Sequence, residues 1–84
     1  MEEKWLILRK IISKQLGIEL EQIKPNSDFR NELAAYHYDI IEIILIMKEE
    51  LDIEFDDSPE NLFKIAEKIF RPSDLLNYFE TPFQ

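Results

Sequence analysis

The chain lacks cysteine and has a single glycine and a single histidine among its 84 residues. Without cysteine there is no disulfide framework and no thiolate metal site. One histidine alone is also a poor ligand set for a metal ion, so no metal site is expected. The first residues carry no long apolar run behind a basic flank, so the sequence predicts neither a signal peptide nor a membrane span. These absences are compatible with the cytoplasmic location that we predict.

Positive charge is also scarce. Ten Lys and Arg residues stand against eighteen Asp and Glu residues, which gives a formal net charge of −8. Nucleic-acid binding needs clustered basic residues against the phosphates, and this composition argues against it. Anionic membrane surfaces are disfavoured for the same reason. The electrostatic complement of such a chain is a protein partner with a basic patch.

The apolar content of 45% is enough for one core, and no internal boundary is visible, so we predict a single domain over residues 1–84. A chain this short has little room for an enclosed active-site cavity besides that core. We therefore expect no enzyme and no catalytic residues.

Apolar residues recur with helical spacing throughout the chain. A first helix is predicted from about Glu3 to Leu16, with Trp5, Leu8 and Ile12 on one stripe and Gly17 as its stop. A long connection, 18–35, contains turn formers around Pro25. Its apolar residues are expected to pin it to the core: Ile18, Leu20, Ile23, Phe29 and Leu33.

A second helix is predicted from about Tyr38 to Leu51. A third is predicted from Ser58 to Phe70, with Ser58 as N-cap and Pro59 as first residue. A fourth is predicted from Asp74 to about Glu80, with Ser73 as cap, and residues 81–84 form a tail. The predicted fold class is all-α, a small four-helix bundle.

Segments distributed along almost the whole chain follow one family pattern: KIISKQLGI over 10–18, SDFRNEL over 27–33, Asp39, EIIL over 42–45, KEELDIEF over 48–55, AEKI over 66–69 and LLNYF over 75–79. In this pattern the chain resembles bacterial acyl carrier proteins. The resemblance implies a bundle of acyl-carrier-protein type. It requires a few extra residues between Phe55 and Ala66, so the third-helix region is expected to be longer than usual or its loop rebuilt.

In this family an Asp-Ser-Leu motif at the start of the second helix carries 4′-phosphopantetheine on the serine hydroxyl. An ungapped alignment from Leu33 to Asp39 places Tyr36-His37-Tyr38 on that motif, with Ala34 at the position of the usual glycine. An imidazole cannot form the phosphodiester, so no cofactor is expected here. The remaining serines do not resemble the attachment site: Ser13, Ser27, Ser58 and Ser73.

The residues around His37 allow more than one interpretation. Catalysis by His37 is disfavoured, because Asp39 lies two residues away on a helix and does not face it. Tyr38 replaces the family's leucine and is expected in the core, whereas Tyr36 is expected to be exposed. Tyr36 and His37 then form either an aromatic recognition patch or a plug where a prosthetic arm would emerge.

The second helix is apolar nearly all round, since Glu42 is its only polar residue between Ile40 and Met47. The family's geometry implies that Ile43, Ile46, Met47 and Leu51 face the core, that Ile41, Leu45 and Lys48 face outwards, and that Ile40 and Ile44 lie on the flanks. We predict a partner-binding surface there: His37, Ile41, Glu42, Leu45, Lys48 and Glu49. Two alternatives are a cover of this strip by Leu62, Phe63 and Ile65, and a homodimer through it.

The sequence thus predicts a non-enzymatic interaction module that lacks the attachment serine. Its expected partner carries a basic and apolar patch, for example an enzyme of fatty-acid, polyketide or peptide synthesis. One alternative is a genuine carrier with unconventional attachment. Another is a non-covalent lipid binder. The bulky residues Trp5, Tyr38 and Phe63 are expected to fill the core, which argues against spare volume for a lipid.

Overall fold

A computed structural model describes residues 2–80, which form four α-helices and one short 3-10 helix. The helices are α1 (Glu2–Leu16), α2 (His37–Leu51), α3 (Pro59–Glu67) and α4 (Pro72–Glu80), and the 3-10 helix is Leu20–Gln22. No strand occurs between residues 2 and 80, so the predicted all-α fold is confirmed. No helix in this range is long and apolar enough to cross a membrane. The predicted tail, 81–84, lies outside the described residues.

Helix α1 buries the stripe that its sequence indicates. Leu8 and Ile12 are fully buried, and Trp5 and Leu16 pack against the core while partly exposed. Gly17 ends the helix with a φ of +67°, a left-handed conformation that costs glycine little. The amide of Gly17 donates to the carbonyl of Ser13 at 2.8 Å. Gly17 is thus the helix stop that the sequence predicted.

The connection between α1 and α2 is pinned to the core, but not by every residue expected. Ile23, Phe29 and Leu33 are buried and Ile18 is partly buried. Leu20, by contrast, is 39% exposed, because the 3-10 helix that it opens buries none of its residues. Arg9 of α1 holds this turn by donating from Nε to the carbonyls of Leu20 (2.9 Å) and Ile23 (3.0 Å).

The buried face of α2 differs from the one that the family's geometry implied. Its four buried residues follow the spacing i, i+3, i+4, i+7: Ile40, Ile43, Ile44 and Met47. The placement of Ile40 and Ile44 on the flanks was therefore wrong, and Ile46 and Leu51 are only partly buried. The physical reason is that α2 packs against both α1 and α3, so its central stripe is the one removed from water.

Helix α3 begins as predicted and ends early. Ser58 is its N-cap and accepts from the amide of Asn61 at 3.4 Å. The helix stops at Glu67 and not at Phe70, because the amides of Lys68 and Ile69 bond only three residues back, to the carbonyls of Ile65 and Ala66. The amides of Phe70 and Arg71 then donate to the Asp74 carboxylate at 2.9 and 3.1 Å. The predicted end of the third helix at Phe70 was therefore wrong: α3 has nine residues and follows an irregular segment, 53–58.

Helix α4 starts at Pro72, two residues before the predicted start. Proline suits the first helical turn because its φ is already helical and no amide is left unpaired. Ser73 was predicted as the cap, but Asp74 is the residue whose carboxylate accepts from the incoming amides. Leu75 and Phe79 are buried in the core.

Candidate partner-binding site at the start of α2

The start of α2 is fixed by a backbone contact. Tyr36 is extended and precedes the helix, and its amide donates to Oδ2 of Asp39 at 3.1 Å. A carboxylate in the first turn also suits the positive end of the helix dipole. Asp39 is thus engaged with the backbone, which agrees with the expectation that it does not orient His37.

The turn that leads into α2 contains a strained residue. Ala34 has a φ of +56°, in the left-handed region that is unfavourable for a residue with a Cβ. The next residue, Ala35, is fully buried, and its amide donates to the carbonyl of Phe29 at 2.7 Å. These contacts hold the backbone in place, so the strain at Ala34 persists in the folded chain.

His37 lies between the loop and α3. Its Nε2 is 2.9 Å from Nη2 of Arg30, and since a guanidinium only donates, this contact is a hydrogen bond when Nε2 is the acceptor. On its other side the imidazole meets the Phe63 ring, with centroids 4.9 Å apart and planes tilted by 58°. The sequence predicted Phe63 as a possible cover of the apolar strip on the second helix, but it did not predict the contact between Arg30 and His37. These two residues are seven positions apart across a turn, and no sequence pattern indicates that they meet.

The two tyrosines that flank His37 are both exposed. Tyr36 is 56% exposed, as predicted. The prediction that Tyr38 is core was wrong, since it is 69% exposed. It lies three and seven residues before Ile41 and Leu45, so helical spacing puts it on their outward face. Phe63, also expected to fill the core, is 47% exposed.

The predicted strip on α2 is covered in part. Ile41 and Leu45 are partly buried against the core, whereas Glu42 and Glu49 are exposed. Helix α3 packs against α2 and buries Leu62 and Ile65. The alternative of a cover by the third-helix region therefore accounts for some of the strip. What stays open is its outer side, continuous with Tyr38.

Lys48 joins α2 to the segment before α3. Its Nζ lies 3.0 Å from Oδ2 of Asp57 and 5.9 Å from the centre of the Phe55 ring. The hydrogen bond to Asp57 raises the pKa of Lys48, and the same bond lowers the pKa of Asp57. This predicted surface residue is thus engaged within the chain, with 23% of its side chain exposed.

The serine side chains with contacts in the structure stabilise parts of the fold other than the start of α2. The Ser13 hydroxyl donates to the carbonyl of Ile18 at 2.6 Å, Ser27 is buried, and Ser58 caps α3. In the range 2–80 no serine lies at the start of α2, and no group of three or more His, Cys, Asp or Glu side chains is placed to hold a metal ion. The acidic segment 49–57 carries exposed carboxylates.

The known proteins to which this chain is similar include acyl carrier proteins from several organisms. The chain is 37% identical over 78 residues to the acyl carrier protein of Nitratidesulfovibrio vulgaris, which covers 93% of this chain and 91% of that protein. It is 38% identical over 73 residues to that of Clostridium acetobutylicum, 87% of each chain. It is 32% identical over 80 residues to that of Phaeodactylum tricornutum, and this alignment covers 95% of this chain and 97% of the relative. No protein-family model matches the chain.

Each of these alignments covers most of this chain and most of its relative, and the four-helix fold agrees with them. Proteins of this kind are carriers and not catalysts, which confirms the prediction that the chain is not an enzyme. The family uses 4′-phosphopantetheine and works with the enzymes of its synthesis pathways. On sequence and fold together, the chain belongs to the acyl carrier protein family.

Proposed function

We propose that this chain is a member of the family that does not carry 4′-phosphopantetheine and instead acts as an interaction module around the start of α2. The observation that carries the proposal is the position of His37, the first residue of α2, with Nε2 engaged by Arg30. A histidine at this position offers no hydroxyl. The residues at this turn therefore do not fit covalent attachment of the group.

The chemistry supports this proposal. The family's arm is joined through a phosphodiester, which needs an aliphatic hydroxyl at the first turn of the second helix. The hydroxyls next to His37 are the phenols of Tyr36 and Tyr38, whose bulk replaces the small, acidic surroundings of the family motif. Conversion of three neighbouring positions favours a changed use of this surface over the loss of one residue.

The surface has the composition of a protein interface. Tyr36, Tyr38 and Phe63 expose aromatic rings, a residue type enriched where proteins bind each other. Glu42 and Glu49 add negative charge beside Ile41 and Leu45. We propose a partner with a basic and apolar patch, such as an enzyme of fatty-acid, polyketide or peptide synthesis, and a cytoplasmic location stays a prediction.

Intact mass spectrometry after incubation with coenzyme A and a permissive phosphopantetheinyl transferase tests the first half of the proposal. We expect no mass gain for the wild type and a gain equal to the arm for Y36D/H37S/Y38L, which restores the family motif. The single variant His37→Ser separates loss of the hydroxyl from loss of the surrounding recognition surface. A mass gain in the wild type would show a genuine carrier and overturn the proposal.

The second half is tested by binding to purified condensing enzymes of the three pathways. Tyr38→Ala should weaken binding about tenfold, in the range of interface aromatics. Leu6→Ala is the control, because Leu6 is 51% exposed on α1 and is not among the residues of the proposed surface. If both variants bind like the wild type, or if no condensing enzyme binds, the proposed surface is wrong.

A further inference from the structure

The edge of α2 opposite His37 forms a groove with α1. Its volume is about 500 Å³, within the range of small-molecule sites. Residues from α1, the 3-10 helix and α2 line it: Ile7, Lys10, Ile11, Ser13, Lys14, Leu20, Ile46 and Glu50. None of the predicted partner-binding residues is among them.

The floor of the groove is apolar. Ile11 is 9% exposed, and Ile7 and Ile46 are partly buried against the core. Leu20 extends this floor from the 3-10 helix, where it is 39% exposed. The sequence predicted that Leu20 packs against the core, but its exposed side chain instead lines the groove.

The rim on α1 is basic. Lys10 and Lys14 are four residues apart, so they lie on the same face of the helix, and both are exposed. Within the described part of the chain neither lysine forms an ion pair or a side-chain hydrogen bond. Helix α1 carries four basic residues against two acidic ones, although the chain as a whole is strongly acidic. On the α2 rim Glu50 supplies a single negative charge.

We propose that this groove binds a single-chain amphiphile with an anionic head, an alkyl carboxylate. The chain would lie on Ile7, Ile11 and Ile46, and the carboxylate would pair with Lys10 and Lys14. The distance along α1 from Ile7 to Lys14 is about 10 Å, which suits an alkyl chain of medium length. Charge complementarity selects the carboxylate, because two free ammonium groups meet only one carboxylate. This inference does not depend on the proposed function.

Decanoate is the probe, with decyltrimethylammonium as the partner of opposite charge and similar chain, both below their micellar concentrations. We expect decanoate to bind at one site, measured by calorimetry, and to shift the amide resonances of residues that line the groove. Decyltrimethylammonium should bind at least tenfold more weakly. Equal binding of the two probes, or shifts confined to other surfaces, would overturn the proposal.

Paired variants locate the site. The double variant K10Q/K14Q should weaken decanoate about fivefold, as expected for two exposed charge pairs, whereas K24Q/K64Q should leave it unchanged. Leu20→Gln should weaken both probes, and its control Leu6→Gln neither. Glu50→Gln should strengthen decanoate about twofold. These variants change exposed residues, and circular dichroism checks that each one folds. A K10Q/K14Q protein that binds decanoate like the wild type would exclude the site.

Discussion

The two edges of α2 differ in how their residues are engaged. Towards α3, His37 contacts Arg30 and Phe63, and one ion pair ties Lys48 to Asp57. Towards α1, Ile46 and Glu50 face a groove in which the lysines of α1 have no ion-pair partner within residues 2–80. One edge is closed by side-chain contacts, and the other is open to solvent.

This difference shows what a helix that is apolar nearly all round can do in a small bundle. A core of this size cannot surround α2, so only its central stripe is fully buried. The apolar residues beside that stripe lie at the two edges, where they are partly covered by α3 or border the groove with α1. Each edge thus becomes a separate candidate for binding, and the substitutions below test the boundary between core and edges.

The largest effect is expected at the boundary between the core stripe and the α1 edge. Ile44→Ala removes a fully buried side chain and should lower the free energy of unfolding by about 3 kcal/mol. Ile46→Ala, a matched change on the same helix, should cost about 1 kcal/mol, because Ile46 is already partly in contact with solvent. Urea unfolding followed by circular dichroism measures both. Equal losses would mean that Ile46 belongs to the core and that the groove is shallow.

The α3 edge is tested by the ring that contacts His37. Phe63→Ala should cost about 1 kcal/mol, because it removes an aromatic pair with a centroid distance of 4.9 Å. Phe70→Ala is the control: its ring is 59% exposed, and the carbonyl that accepts from the Phe29 amide is retained. We expect less than about 0.5 kcal/mol there. The His37 ring resonances should move in the first variant and stay in the second.

A smaller effect, of opposite sign, is expected in the turn before α2. Ala34→Gly should raise the free energy of unfolding by about 0.5–1 kcal/mol, since glycine relieves the left-handed strain but loses more entropy on folding. Ala35→Gly, one position on and without a positive φ, should destabilise the chain. Thermal unfolding of the two variants compares them directly. A loss of stability on Ala34→Gly would contradict the strain at this turn.

Much of the fold follows from local features of the sequence. Gly17 ends α1, Ser58 caps α3, and the spacing of Leu8 and Ile12 marks the core stripe of α1. These features act over a few residues, so a single sequence shows them. Helix α2 begins at His37, one residue before the predicted start at about Tyr38, and the placement of His37 there came from the resemblance to the family and not from a local signal.

The errors arise where tertiary packing decides. The burial of Ile40 and Ile44 depends on the direction from which α1 and α3 approach α2, and periodicity on an all-apolar helix does not give this direction. Tyr38 was assigned to the core by its replacement of a leucine, yet its place in the first turn turns it outwards. The contact between Arg30 and His37 needs the folded loop, so it has no sequence signal.

The smallest effect concerns the ion pair that closes the α3 edge. The hydrogen bond from Lys48 lowers the pKa of Asp57, so its stabilisation is present at neutral pH and is lost as the pH falls through the lowered pKa. The pKa of Lys48 is raised, so its contribution is present at neutral pH and is lost as the pH rises through the raised value. The ion pair between Lys48 and Asp57 is thus intact between the lowered pKa of Asp57 and the raised pKa of Lys48.

Carboxyl-carbon NMR titration of Asp57 measures the pair without relying on global stability, in which an exposed ion pair counts for little. In the wild type the midpoint should lie below the usual aspartate value, and Lys48→Gln should bring it back up because the donor is gone. Lys64→Gln, on α3 and without this contact, should leave it in place. If Lys48→Gln does not move the midpoint, Asp57 is not held by α2. The α3 edge would then be closed by the ring contact of His37 alone, and the contrast between the two edges would be limited to the first turns of the helix.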